Sequence, residues 1–427
     1  MFVKIKGTGS CLPEKVLDNF EISQLVDTND EWIQSRTGIK SRHIAREETA
    51  VSMAAKAAKR ALEDAQVAAE EIDLLIVSSV SSEQLLPCTA CSVQKEIGAV
   101  NAAAFDLNAA CSGFIVAYQM AAGQIKAGLS KKALLIGVEC LSNIVNWEDR
   151  GTCILFGDGA GAAVVSADED GNIDGRGNIE IPSVLHSDGS RGEVLTCQNP
   201  TGKRADGSLK GYVAMDGREI YKFAARQVPV VVKEILEKAG KSVEEVDLFV
   251  LHQANRRIVE AIAKRLKQPI EKFPMDMMQN GNMSSASIPV LLDELKKPEV
   301  TAGNEDSCCR VWRKALHRGR HVFRMVKKVI PGISGLHKEE KQCKSIRKNE
   351  VYIMFEKIKE LIVESLGIEE DQVTMEASFK EDLKVDSLDL FEMVMSLEDE
   401  FDVEIPTEEL EKMETVGDVV EYIKEHK

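Results

Sequence analysis

Four side chains stand in settings where they could do chemistry. Cys111 follows an apolar run at residues 103–107 and precedes a helical pattern. A helix macrodipole would favour its thiolate, the nucleophilic form. His252 ends a strand predicted at residues 247–251, where catalytic side chains of α/β sheets cluster, and Asn282 lies in an Asn-Gly-Asn turn. Ser387 begins an amphipathic helical pattern, where its hydroxyl would be open to modification.

Each of these residues also has a simpler interpretation. A cysteine in an alanine-rich stretch is often an inert buried thiol. A histidine can belong to the core, an asparagine can form a turn, and a serine can cap a helix. The lone CxxC at Cys88 and Cys91 has no second pair, so it is weak evidence for zinc, and we expect no metal.

Composition limits the classes of protein. The chain has 427 residues, enough for two or three domains, and no apolar run long enough for a bilayer span. Its start lacks the apolar core of a signal peptide. The ten cysteines show no framework spacing, and the net charge of −16 argues against a nucleic-acid partner. We therefore expect a cytoplasmic protein with free thiols and no membrane or nucleic-acid partner.

The elements that position the four side chains fall into separate segments. Charge changes sign sharply, because residues 304–349 are rich in Lys and Arg whereas the chain from residue 355 is rich in Glu and Asp. Such breaks indicate boundaries. We predict an α/β domain over residues 1–303, a basic linker over 304–353 and an acidic domain over 354–427.

The first domain alternates apolar runs with helical patterns. Residues 72–77, 103–107 and 134–138 predict buried strands, and residues 51–65 predict a helix between them. The segment AEEIDLLIVSSV from Ala69 is similar to VEEVDLFVLHQA from Val243, and each follows an amphipathic helix. This repeat indicates two similar βα layered halves, although chance similarity of two buried strands would give the same pattern.

The last domain has a helical pattern throughout. Its apolar residues recur three and four positions apart in two stripes, and residues 416–423 predict a final helix. The stripes are Phe355, Ile358, Leu361, Ile362 and Leu366, then Leu388, Phe391, Val394, Met395 and Leu397. The pattern predicts an all-α unit.

From Met354 to Lys427 the chain resembles acyl carrier proteins, most clearly in DSLDLFEMVMSLEDEFDVEIP. The resemblance implies a four-helix bundle with phosphopantetheine attached covalently to Ser387. It also implies partners, namely a phosphopantetheinyl transferase and other enzymes of fatty-acid synthesis. We expect these to dock on an acidic face formed by Glu392, Glu398, Asp399 and Glu400.

From Met1 to about Leu295 the chain resembles the 3-oxoacyl-[acyl-carrier-protein] synthase III family through DLNAACSGF, LHQANRRI and GNMSSASIP. The resemblance implies a thiolase fold and a decarboxylating Claisen condensation of acetyl-CoA, or another short acyl-CoA, with a malonyl carrier. Cys111 would carry the acyl group as a thioester. His252 and Asn282 would stabilise the enolate oxygen.

The same resemblance implies where coenzyme A binds. Asn255 would help hold the pantetheine arm, and Leu86 would line the acyl pocket across the interface of a homodimer. The adenine would be held by Trp32 and Arg36, with Thr28, Arg150 and Gly151 nearby.

The end of the first domain departs from the family pattern. The family continues into a strand, a Gly-rich loop that completes an oxyanion hole, and a final strand, whereas here a basic segment follows Asn304. Reading the codons from Asn304 one base later permits Lys-Ile-Leu-Val-Val, then Gly-Phe-Gly-Gly, and later a stop. We infer a one-base frameshift near Gly303 with read-through into a carrier gene. The alternative is an evolved basic linker.

Three functions stay open on the sequence. The leading hypothesis is a condensing enzyme joined to its own carrier. The second is an active carrier attached to an inert synthase domain whose terminal strands are disrupted. A third is another thiolase-fold enzyme, such as a plant-type polyketide synthase.

Overall fold

The computed structural model describes residues 2–168, 182–197 and 211–296 in the first part of the chain. In the last part it describes residues 354–363, 368, 370–383, 385, 390, 393–394, 397–398, 400–401, 403, 405, 409 and 413–426. The chain divides into a first unit, residues 1–330, and a second unit, residues 331–427. The basic segment 304–353 and Ser387 lie outside the described residues.

A five-stranded sheet forms the centre of the first unit, in the order β1-β7-β6-β4-β5. Strand β4 is parallel to β5 and β6, whereas β7 is antiparallel to β6 and β1. Two small antiparallel pairs, β2-β3 and β8-β9, lie outside it. The strands are β1 Phe2–Cys11, β2 Val16–Asp18, β3 Ser41–His43, β4 Leu74–Ser78, β5 Ala103–Leu107, β6 Lys132–Glu139, β7 Gly159–Asp168, β8 Leu195–Cys197 and β9 Val213–Met215.

Ten described α-helices and seven short 3-10 helices connect these strands. The α-helices are α1 Asn19–Ser23, α2 Asp30–Thr37, α3 Ala50–Ala65, α4 Thr89–Ile97, α5 Gly113–Lys126, α6 Arg150–Cys153, α7 Gly217–Ala239, α8 Arg256–Arg265, α9 Met277–Asn280 and α10 Ser287–Glu294. The 3-10 helices are Ala69–Glu71, Ala110–Ser112, Leu141–Asn143, Gly189–Val194, Val243–Glu245, Ile270–Lys272 and Ser284–Ala286.

Small residues bring helix α3 unusually close to the sheet. A Cβ added to Gly9 on β1 would lie 2.4 Å from the Ala57 carbonyl oxygen, closer than any real contact. The alanine-rich face of α3 is buried against β1 and β7, and Thr49 caps the helix by accepting a hydrogen bond from the Ser52 N–H. The strands predicted at residues 72–77, 103–107 and 134–138 are confirmed as β4, β5 and β6 within two residues at each end.

The strand predicted at residues 247–251 was wrong, because no ladder forms there in the described part of the chain. Leu248 and Phe249 are buried, yet the backbone of this stretch is tied chiefly by the Phe249 N–H donating to the Lys272 carbonyl at 2.8 Å. A strand needs neighbours to satisfy its backbone.

The second unit is helical in its described parts, at residues 354–363 and Val416–His426, and has its own apolar core. Ile358 and Ile362 are fully buried, as their stripe predicts. Glu398 corrects the acidic face, because it is 7% exposed and its Oε1 accepts a hydrogen bond from the Ile405 N–H at 2.8 Å. Glu400 is exposed, while Glu392 and Asp399 lie outside the described residues.

Among the described residues of both units, no helix combines the length and apolarity that a membrane crossing requires.

Candidate active site

Cys111 lies on a strained turn between β5 and α5. It belongs to the 3-10 helix Ala110–Ser112, and Ala110 has a φ of 46°, in the left-handed region that alanine disfavours. A Cβ on Gly113 would lie 1.8 Å from Ser78 Oγ, so glycine is required for the turn to approach β4. Strained turns of this kind cluster at functional sites, where the surrounding fold holds them in place.

The resting state of the thiol differs from the expectation based on the helix macrodipole. Burial raises the pKa of Cys111, with a smaller contribution from the Glu139 carboxyl, while a hydrogen bond with Ser284 acts in the opposite direction. This direction is opposite to the one expected from the helix macrodipole, because burial of the sulfur has the largest effect on its pKa.

A buried carboxyl supports the turn that contacts Cys111. Glu139 is fully buried at the end of β6, and its Oε1 accepts a hydrogen bond from Ser285 Oγ at 2.8 Å. Its Oε2 accepts hydrogen bonds from Ser81 Oγ at 2.6 Å and from the Val80 N–H at 3.1 Å. Burial raises the pKa of Glu139, although these bonds oppose the shift. Sequence reasoning missed Glu139, which stands alone as a charge at the end of an apolar strand.

His252 is a neutral imidazole in this setting. Burial lowers its pKa to about 4, although the Asp276 carboxyl opposes the shift. Both ring nitrogens are buried and have no hydrogen-bond partner in the described part of the chain. A neutral imidazole offers one N–H donor and one acceptor nitrogen, so both are available to a substrate.

Asn282 is oriented by hydrogen bonds to its backbone and its side chain. Its N–H donates to the Leu155 carbonyl at 2.8 Å, and its own carbonyl accepts from the Gly157 N–H at 3.0 Å. The side-chain Oδ1 accepts from the Ser284 N–H at 2.8 Å. Because that oxygen is engaged, the amide nitrogen is the side-chain group that remains for a substrate oxygen. Ser284, with a φ of 45°, contacts both Asn282 and Cys111.

Two guanidinium groups flank the indole of Trp32. The Cζ atoms of Arg36 and Arg150 lie 5.9 and 4.7 Å from the ring centroid. The Thr28 hydroxyl nearby in sequence is buried, with no hydrogen-bond partner among the described residues, and the Gly151 N–H donates to Asp149 Oδ1 at 2.9 Å. A cationic, partly exposed aromatic platform suits a nucleotide base and its phosphates.

Asn255 joins this platform to helix α8. Its Oδ1 accepts from the Arg257 N–H at 2.8 Å as the helix cap, and its Nδ2 donates to the Arg36 carbonyl at 3.1 Å. In this structure, the Asn255 side chain, which is predicted to bind pantetheine, links helix α8 to helix α2 through the Arg36 carbonyl.

Leu86 is 86% exposed and Leu85 is 70% exposed, in the loop before helix α4. The described residues of its own chain therefore leave the Leu86 side chain largely uncovered. The seven described cysteines, including Cys88 and Cys91, are free thiols, and no cluster of three or more metal-binding side chains occurs among the described residues.

Comparisons with known proteins agree with this geometry. A model of 3-oxoacyl-[acyl-carrier-protein] synthase III matches residues 105–189, its C-terminal counterpart matches residues 236–305, and a phosphopantetheine attachment site model matches residues 356–423. The beta-ketoacyl-[acyl-carrier-protein] synthase III of Clostridium acetobutylicum is 46% identical over 300 residues, which are 69% of this chain and 90% of that protein. The Aquifex aeolicus enzyme is 46% identical over 305 residues, which are 71% of this chain and 94% of that protein.

Solved structures show the same similarity. The crystal structure of the Aquifex aeolicus synthase III matches with a TM-score of 0.64 and 47% identity, covering 68% of this chain and 90% of that one. The priming beta-ketosynthase of the R1128 polyketide pathway matches with a TM-score of 0.64 and 35% identity, covering 70% and 88%.

Proposed function

The chain belongs to the 3-oxoacyl-[acyl-carrier-protein] synthase III family and carries a phosphopantetheine attachment domain, and we propose that it starts fatty-acid chains from a short acyl-CoA. The family is one of acyltransferases with the thiolase fold. The proposal concerns the substrates, acetyl-CoA and malonyl carrier, and the roles of the individual residues.

The observation that carries the proposal is that Ser284 contacts both Cys111 and Asn282. Ser284 engages the thiol with its side chain and the amide oxygen of Asn282 with its backbone. The nucleophile and a free amide donor therefore belong to one constellation, with the neutral His252 as a second donor.

The first half-reaction is acyl transfer to Cys111. The sulfur attacks the acyl-CoA thioester carbon, the bond to the CoA sulfur breaks, and the thiol proton leaves with CoA. Because burial raises the pKa of Cys111 in the resting chain, we propose that the proton is lost as the sulfur attacks. The platform of Trp32, Arg36 and Arg150 would hold the nucleotide part of CoA during this step.

The second half-reaction is condensation. The malonyl group loses carbon dioxide and its electron pair forms an enolate, whose oxygen would accept hydrogen bonds from His252 and the Asn282 amide. The enolate carbon then attacks the acyl carbonyl, the thioester bond to Cys111 breaks, and a solvent proton restores the thiol. The product is a 3-oxoacyl carrier.

In the second unit, we propose that Ser387 carries the phosphopantetheine. Val385 is buried before it and Met393 is fully buried after it, so the core flanks the segment that holds this serine. A hydroxyl is the chemical group that a phosphodiester requires. The arm would present acyl groups as thioesters, and the exposed Glu400 fits a basic partner enzyme.

The match to the C-terminal family model ends at residue 305, which favours a second candidate. The chain would then be an active carrier with an inert synthase half. The test supplies purified chain with labelled acetyl-CoA and a separate malonyl carrier, and measures acyl-enzyme and 3-oxoacyl carrier by mass spectrometry. Cys111→Ser should abolish both, whereas Ser387→Ala should abolish only phosphopantetheine attachment. Label on the first unit of Cys111→Ser would contradict the proposal.

A further inference from the structure

The segment that carries His252 is fastened to a neighbouring segment by one fully buried side chain. Gln253 is 0% exposed, and its Oε1 accepts a hydrogen bond from the Asp276 N–H at 3.1 Å. Its amide nitrogen donates to the Leu251 carbonyl at 2.9 Å and to the Pro274 carbonyl at 3.4 Å. The position of His252 therefore depends on the position of Asp276.

The same aspartate is tied to the turn that carries Asn282. Its Oδ2 accepts a hydrogen bond from Asn280 Nδ2 at 3.1 Å, and the Asn280 N–H donates back to the Asp276 carbonyl at 3.3 Å. Gly281 follows with a φ of 67°, which turns the chain into Asn282. Asp276 is thus bonded on one side toward His252 and on the other toward Asn282.

Asp276 is an unusual residue for such a place. It is 8% exposed, its Oδ1 has no hydrogen-bond partner among the described residues, and burial raises its pKa to about 7. Buried carboxyls are costly unless they are bonded. The carboxyl also interacts electrostatically with the His252 imidazole, so the two groups lie within each other's field.

We propose that Asp276 is a positioning residue for condensation, which holds His252 and Asn282 in one arrangement through Gln253 and Asn280. The proposal rests on the roles given above to His252 and Asn282. It assigns no contact with the substrate to Asp276. Cys111 is supported from another side, by Glu139 and Ser284, so acyl transfer should not depend on Asp276.

The test measures the two half-reactions of the full chain separately. Asp276→Ala should leave acyl transfer to Cys111 within about twofold, while condensation falls roughly 10- to 100-fold, since small misplacements of reacting groups cost up to about that much. Asp276→Asn keeps an oxygen for Asn280 and should recover most of the loss. Asp293→Asn, on α10, is the control for a hydrogen-bonded carboxylate outside the site, and it should change neither rate.

Equal loss in both half-reactions would show a merely structural role and overturn the proposal, as would an Asp276→Asn variant as deficient as Asp276→Ala. A second readout does not need turnover. In chain labelled at the histidine ring carbons, the His252 resonance, assigned with His252→Gln, should shift in Asp276→Ala and stay in Asp293→Asn. An unmoved resonance would overturn the positioning role. A shifted resonance in a chain that condenses nothing would support positioning and refute the proposed function.

Discussion

Residues 69–80 and 243–254 have similar sequences but form different structures. Each follows a long helix and opens with a 3-10 turn, Ala69–Glu71 or Val243–Glu245, and each then buries an aliphatic residue, Ile72 or Val246. The first copy continues as β4 between β5 and β6. The second copy forms no ladder in the described part of the chain.

The difference shows that neighbours, more than local pattern, decide whether such a segment becomes a strand. Leu74 and Leu248 occupy equivalent positions and are 1% and 6% exposed, so both sequences bury their apolar side chains. Among the described residues, strands on both sides satisfy the backbone of the first copy alone. We propose that a frameshift near Gly303 has removed the strands that would pair with the second copy.

The largest expected effect comes from restoring that frame. Deleting one base near the Gly303 codon should return the Gly-rich loop and terminal strands, and condensation with a separate carrier should rise roughly 100- to 1,000-fold, the usual cost of one oxyanion-hole donor. Steady-state rates of the two proteins measure it. A chain ending at Gly303 is the control for losing the carrier domain, and it should stay slow. Equal rates for original and restored chains would mean that the segment after Asn304 rebuilds the oxyanion hole.

The next test compares the two equivalent leucines. Leu74→Ala should lower the free energy of unfolding of the first unit by about 4 kcal/mol, as for a fully packed core leucine. Leu248→Ala should cost less, about 2–3 kcal/mol, because Leu248 is slightly more exposed than Leu74 and no strand ladder flanks it in the described part of the chain. Tryptophan fluorescence in denaturant measures both, since residues 354–427 contain no tryptophan. Equal losses would show that the second copy is packed as firmly as the first.

The contrast between the two copies also explains which parts of the fold and of the site could be predicted from the sequence. The strands β4, β5 and β6 and helix α3 followed from periodicity, because their partners are present in the chain. The roles of Cys111, His252 and Asn282 are predicted from motifs and stay predictions. The supports could not be predicted in this way, since Glu139 and Asp276 act through hydrogen bonds to residues distant in sequence. A lone carboxylate in the apolar stretch around Asp276 was the only local signal.

A third test measures how stability depends on pH. We expect the surroundings of residues 243–254 to contribute more to this dependence than those of residues 69–80. Ser78 does not titrate, whereas its equivalent His252 lies beside Asp276. The pKa of Asp276 is raised to about 7 in the folded chain, compared with about 3.9 in the unfolded chain. The protonated carboxyl therefore contributes fully to the free energy of unfolding below about pH 3.9, and this contribution is lost as pH rises through 7. Because an asparagine amide does not titrate, Asp276→Asn removes this pH-dependent loss of stability. The variant should therefore gain about 2 kcal/mol relative to the original chain between pH 5 and 8.

Denaturant midpoints at several pH values measure this gain. The pKa of His252 is lowered to about 4, so its contribution to stability is full above about pH 6.5 and is lost as pH falls through 4. This contribution is present in both proteins and largely cancels in their difference. A constant difference between the proteins across this range would contradict the buried state of Asp276.

The smallest expected effect concerns two equivalent aspartates within these segments, Asp73 and Asp247. Asp73 accepts hydrogen bonds from the Lys131 and Lys132 N–H groups at 2.7 and 3.2 Å, which fixes the start of β6 beside β4. Asp247 is exposed. Asp73→Ala should therefore cost about 1 kcal/mol of unfolding free energy, since it leaves two backbone donors without their acceptor. Asp247→Ala should stay within about 0.5 kcal/mol, as surface changes do. If restoring the frame raises the loss of unfolding free energy in Asp247→Ala to that in Asp73→Ala, Asp247 bonds a neighbouring strand in the restored chain. If the cost stays near zero in the restored chain, the two copies differ for a reason other than missing neighbours.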